Sequence, residues 1–190
     1  AFPYLTAREL SVGRVPVLAT RVTYVGELGW EFYASSEYGL ELWDTLWEAG
    51  RPQGVVAAGY RAIDSLRLEK GYRYWSADIT PDDTPYEAGT GFAVKLGKGD
   101  FIGRDALLRQ RTEGVRRKLV CLTLSDPTWV ALGGEPVRVT DRVMGRVTSG
   151  GFGHAVGLSI AYAYLPVELS APGTPVEIEF FGEWMPGLVA

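Results

Sequence analysis

"VPVLATRVTYVGELGWEFY", residues 15–33, decides how the first half of the chain is built. Residues 15–24 and 30–33 are β-branched and aromatic, which argues for two strands, and "VGELG" between them carries the glycines of a hairpin turn. With a four-residue turn over Gly26, Glu27, Leu28 and Gly29, Val25 faces Trp30, Tyr24 faces Glu31 and Thr23 faces Phe32. Side chains alternate along a strand, so Thr23, Val25, Trp30 and Phe32 form an apolar face, while Val22, Tyr24, Glu31 and Tyr33 take the other. A slip of a single residue would reverse that sorting.

Working outward, "SEYGLELWDTLWEAG" places Leu40, Trp43 and Trp47 on one side of a helix with Leu42 and Leu46 beside them, Ser36 as N-cap and Gly50 as stop. A second helix through "YRAIDSLRLEK" ends at Gly71, with Ala62, Ile63 and Leu66 as its apolar face. Residues 76–91, "SADITPDDTPYEAGTG", have the composition of a turn-rich loop, and a short helix follows that ends near Gly114. From Val115 the texture changes. "RRKLVCLTL", "EPVRVT", "VMGRVTS", "GLSIAYAYL" and "PVEIEFF" are short alternating segments punctuated by "GGE", "SGGFG" and "APGTP". The expectation is an α+β fold in two parts: an antiparallel sheet with flanking helices over 1–114, then a small all-β barrel over 115–190. The boundary falls near residues 112–117.

Composition narrows the function. Of the 190 residues 46% are hydrophobic, enough for real cores, so a disordered chain is excluded. The net charge of -4, with scattered basic residues, lacks the footprint of a nucleic-acid binder. No apolar run approaches the roughly 18 residues that span a bilayer, and the expected location is cytoplasmic. With one cysteine, Cys121, and one histidine, His154, neither an internal disulfide nor a thiolate or paired-histidine metal site can be built. Cys121 reads as a small core residue and His154 as an exposed loop residue.

The remaining polar residues sort by the same logic. Arg67, Lys70 and Arg73 have the charge to draw in a ligand's carboxylates, such as a glutamate tail, but cations on and after a helix more often form a solvated face, which is the reading taken. Asp78, Asp82, Asp83 and Glu87, set among prolines and threonines, read as turn formers, and no metal is expected. Glu31 has two readings: a plain surface acid, or a pocket carboxylate whose paired oxygens match adjacent N–H donors on a flat heterocycle such as a reduced pterin.

"RVTYVGELGWEFY" followed by "GYRAIDSLRLEKGYRYWSADITPDDTPYEAGTGFAVKLGKGDFIGRDALL" resembles the tetrahydrofolate-dependent aminomethyltransferase family, which includes the glycine cleavage T-protein. The likeness is closer to the folate-binding portion of sarcosine and dimethylglycine dehydrogenases and oxidases. It extends over almost the whole chain. The resemblance implies a folate pterin held by Glu31 with help from Tyr24, and capture of a one-carbon unit as 5,10-methylenetetrahydrofolate. It also implies that the acid nearest the reacting nitrogens lies in an N-terminal half preceding this sequence, so no catalytic residue is assigned here and the chain alone is expected to be inactive. The implied partners are tetrahydrofolate, a small methylated amine or aminomethyl donor and that N-terminal half; FAD belongs only to a possible upstream domain. Ile63 in "AID" stands where T-proteins have an arginine, which favours the oxidase-type branch over a stand-alone aminomethyltransferase served by a lipoyl carrier protein. A non-catalytic folate-binding or purely structural module is the third reading.

Overall fold

The computed structural model describes residues 1–190, which form two compact units, Ala1–Ile63 and Asp64–Ala190. In the first, β1 (Ala7–Val12), β2 (Val15–Thr20) and β3 (Glu31–Tyr33) make an antiparallel sheet in that order. A two-residue turn at Gly13-Arg14 joins β1 to β2, with Val12 opposite Val15 and Ala7 opposite Thr20. Alternation along β2 buries Val15, Val17 and Ala19, which pack with Val12, Phe32 and Leu42. The sequence gives no sign of β1 because its first five residues are all exposed, leaving no apolar period to read.

The expected hairpin register is not the one formed. Leu18 pairs with Tyr33, Ala19 with Phe32 and Thr20 with Glu31, so β2 stops at Thr20 and residues 21–30 form a wide loop. Two sets of hydrogen bonds favour this arrangement. The Arg21 backbone bonds outward to Leu5 and Thr6, at 2.9 Å each, instead of continuing toward β3. The Thr23 hydroxyl accepts the amides of Val25 and Glu27 at 3.2 and 3.3 Å, bending the chain where a straight strand was expected.

After β3 a 3-10 turn at Ser36–Tyr38 leads into α1 (Gly39–Gly50), with no side-chain cap from Ser36. No residue of α1 is buried: Leu42 touches the sheet core, whereas Trp43 and Trp47 stack on each other with ring centroids 5.8 Å apart.

Helix α2 (Tyr60–Glu69) ends as expected, with Tyr72 N–H on the Arg67 carbonyl and Gly71 N–H on that of Leu68, Gly71 having φ 72°. Its buried residues are Arg67 and Leu68, whereas Ala62 and Leu66 are exposed, which corrects the expected apolar face. The acids of the following loop do form turns: Asp83 accepts from the Thr80 amide and hydroxyl, both at 2.8 Å, and Glu87 accepts from those of Thr84 at 2.9 and 3.0 Å. Helix α3 (Arg104–Glu113) ends at Gly114.

Strands β4 (Arg117–Leu124), β5 (Pro136–Val139), β6 (Arg142–Gly153), β7 (Leu158–Pro166), β8 (Pro175–Phe180) and β9 (Glu183–Val189) close a barrel in the order β4-β7-β6-β5-β8-β9. The fold class is therefore α+β, a three-stranded antiparallel sheet with helices followed by a six-stranded antiparallel barrel. Leu122, Val137, Leu165 and Ile178 fill its interior. "SGGFG", expected to separate two strands, is instead the second half of β6. A Cβ at Gly151 would lie 2.9 Å from Leu68 Cδ1 and one at Gly150 would lie 2.4 Å from the Ala131 carbonyl, so the glycines are there for close approach. Strand β9 escaped the sequence reading because Pro186 and Gly187 interrupt its pattern. No helix is long and apolar enough to cross a membrane.

Candidate functional site

Phe32 packs into the sheet core, so alternation sends its neighbours Glu31 and Tyr33 to the opposite, exposed face. The Tyr33 hydroxyl donates to Glu31 Oε2 at 2.6 Å. That hydrogen bond, with the carboxylate charge behind it, raises the Tyr33 pKa above its ordinary value. Leu18, opposite Tyr33, extends the platform; it is 42% exposed and Tyr33 is 56% exposed, so both faces are available to a ligand. Directly across from Glu31, the Thr20 hydroxyl is enclosed and has no hydrogen-bond partner. Beside the platform lies a concavity of about 560 Å³ bounded by Glu9, Leu10, Pro16, Leu18, Tyr33 and Ser35.

The structure thus keeps Glu31 and Tyr33 on one face, as alternation implied, but the residue facing Glu31 in the ladder is Thr20 rather than Tyr24. Tyr24 is half-buried in the loop 21–30. That loop is held by a residue the sequence reading passed over. The Arg21 guanidinium lies 4.6 Å from the Trp30 ring centroid, and its Nη1 donates to the Gly29 carbonyl at 3.3 Å. An arginine and a tryptophan nine residues apart carry no periodic signal, because a loop sets their meeting.

In the second unit, Arg67 overturns its assignment to a solvated face: it is 2% exposed, and its Nη1 donates to the wholly buried Asp78 at 2.6 Å. Asp78 also accepts from the Tyr74 amide at 2.8 Å and from the Thr148 and Ser149 hydroxyls at 2.5 and 2.6 Å. Asp78 is therefore more than a turn former. Burial works against the Arg67 charge, but the hydrogen bond to Asp64 and the charges of Asp78 and Asp64 outweigh it, leaving its pKa raised. Arg73 bonds the Ala88 carbonyl at 3.1 Å and also that of Gly71. Cys121 packs beside Leu119 and Tyr162, and burial raises its thiol pKa, the inert condition expected of a core cysteine. His154 is exposed in the turn after β6, edge-on to Phe152 at 5.1 Å.

Comparison with known proteins bears on the whole chain. The model of the GCVT N-terminal domain matches residues 1–98, and that of the glycine cleavage T-protein C-terminal barrel domain matches residues 117–190. Mitochondrial dimethylglycine dehydrogenase of Homo sapiens is 40% identical over 99% of this chain and 22% of its own length. Mitochondrial sarcosine dehydrogenase of Homo sapiens is 42% identical over 95% of this chain and 19% of its own. An aminomethyltransferase of Symbiobacterium thermophilum is 44% identical over 93% and 47%. The crystal structure of glycine cleavage system aminomethyltransferase T from Bartonella henselae superposes with a TM-score of 0.84 at 33% identity, covering 91% of this chain and 48% of that one. The chain thus spans about half the length of the aminomethyltransferases and about a fifth of the dehydrogenases.

Proposed function

Since the chain belongs to the glycine cleavage T-protein family, we propose that it is part of a tetrahydrofolate-dependent module that transfers one-carbon units, with Glu31 as the residue that grips the pterin. The observation that carries this reading is the Glu31 carboxylate itself. One oxygen is oriented by Tyr33, and no hydrogen bond engages the other. A carboxylate fixed in this way presents a flat acceptor pair to the adjacent N–H groups of an aminopyrimidinone edge, and the Tyr33 ring offers a face for the heterocycle. Tyr24 completes the proposed contacts from the loop that Arg21 holds.

Tetrahydrofolate supplies the two amine nitrogens that bridge the one-carbon unit. This chain's part is to bind and orient it, which converts a two-body encounter into a local one. We place the module in a larger parent that oxidises sarcosine, dimethylglycine or a similar methylated amine, with the rest of the folate domain supplied from that parent. The 22% coverage of dimethylglycine dehydrogenase accords with such a parent, as does Ile63 in "AID". A cytoplasmic setting remains part of this proposal.

Titration of the parent protein with tetrahydrofolate tests the assignment. Glu31→Gln removes the charge and one acceptor, and hydrogen bonds to a charged group are worth about 1.5–3 kcal/mol, so affinity should fall about tenfold or more. The melting temperature without folate should barely move, since Glu31 is exposed. Equal affinity in wild type and variant would refute the role given to Glu31.

A further inference from the structure

Independently of the folate reading, we infer that the barrel carries a second small-molecule site, for an organic oxyanion: a carboxylate or phosphate group attached to a compact apolar body. The site is a cleft of about 410 Å³ where β6 and β7 meet the start of β4, and its wall includes Arg116, Arg117, Met144, Arg146, Tyr164 and Pro166. That volume lies within the usual range for small-molecule pockets. Every residue lining it belongs to the second unit.

The three arginines do different things. Arg117 is neutralised: it pairs with Asp83 at 2.8 Å and Glu87 at 3.3 Å, and its guanidinium carbon lies over the Tyr164 ring, 4.6 Å from the centroid. It therefore serves as a wall of the cleft, its charge already matched. Arg116 and Arg146 have no carboxylate partner, and both are exposed at the rim. Arg146 Nη1 donates to the Gly134 carbonyl at 2.9 Å, which fixes the side chain and leaves the rest of its fork available. The backbone of Arg116 is pinned by the Val167 amide, which donates to its carbonyl at 3.0 Å.

The other polar groups of the cleft are already committed. Thr148 Oγ1 donates to Asp78 Oδ1, and the Tyr164 hydroxyl donates to the Asp78 carbonyl at 2.9 Å. Met144 and Pro166 complete an apolar lining. What the cleft offers a ligand is therefore two arginines without carboxylate partners beside an aromatic and aliphatic wall. A guanidinium fork matches an oxyanion in two-point geometry, and the apolar wall rewards a ligand with a body behind that anion. An inorganic anion uses only the first of these.

The test is calorimetric and NMR titration of the full chain with phenyl phosphate, benzoate and inorganic phosphate at low and high salt. Phenyl phosphate or benzoate should bind saturably and at least about tenfold more tightly than inorganic phosphate, shifting resonances of Arg146 and Tyr164. The choice between the two probes identifies the preferred oxyanion. Arg116→Gln with Arg146→Gln should weaken that binding about tenfold or more while the melting temperature holds, because both side chains are exposed. Met144→Ala should reduce the advantage over inorganic phosphate without abolishing anion binding. Absence of saturable binding by both organic probes, or unchanged affinity in the double variant, overturns the proposal.

Discussion

Glu31 and Tyr33 form the smallest unit in which function can be tested on this chain, because the phenol reports on the carboxylate beside it. Ionising Tyr33 would place two negative charges in contact and break the hydrogen bond it donates, which is why its pKa stands above the ordinary 10.0. Glu31→Gln keeps an acceptor oxygen but removes the charge, so the Tyr33 pKa should move down toward that value. The chain has 10 tyrosines, so the measurement calls for NMR of ring-labelled tyrosine, with Tyr33→Phe to assign the signal. A Tyr33 titration that ignores the loss of the Glu31 charge would mean that the two side chains do not meet in solution. This readout needs no folate, so it separates the geometry of the pair from the role proposed for it.

At the scale of elements, the second unit is tied together by Arg67 and Asp78, which join α2 to the loop after it and, through Thr148 and Ser149, to β6. Both side chains are out of water, so removing one strands the other. Arg67→Met should cost about 3–5 kcal/mol in urea unfolding, the range for breaking a buried pair from one side. A loss below about 1 kcal/mol would show the pair to be hydrated in solution. This linkage was invisible in the sequence for a definable reason. Helical spacing presents Ala62, Ile63 and Leu66 as an apolar stripe, and an arginine off that stripe reads as solvated unless its acid is known, here eleven residues on in a turn-rich loop. The elements themselves were more legible: the ends of α2 and α3 at glycines, and β4, β5, β7 and β8 from alternation, because these signals are local. The wide loop before β3 was not, since its length is set by where the Arg21 backbone finds partners in residues 5 and 6. For the candidate site, alternation was enough to put Glu31 and Tyr33 together, while the partner across the ladder depended on that non-local register.

For the molecule as a whole, the apolar surface that remains uncovered is the feature to explain. Trp43 is 55% exposed, Val56 79% and Leu40 74%, although α1 is amphipathic and has the residues of a helix made to be packed on. Trp43, Leu46, Trp47, Val55 and Val56 frame a notch of about 160 Å³. Contiguous exposed apolar surface marks an interaction site or an aggregation liability. If the parent supplies the remainder of the folate domain, as proposed, that polypeptide is the natural cover for this face. The prediction is that Trp43 and Trp47 are quenched by acrylamide in the 190-residue chain but protected in the parent protein. Replacing each with phenylalanine isolates its share of the emission from that of the other tryptophans. The same reasoning gives the stability consequence: Trp43→Ser should cost little in the isolated chain, where the side chain is already 55% exposed. In the parent it should cost more, since fully burying a large apolar side chain is worth about 1.5–3 kcal/mol. Equal quenching of both tryptophans in the two forms would mean that the face stays open in the parent, and the cover would have to be sought in a separate partner.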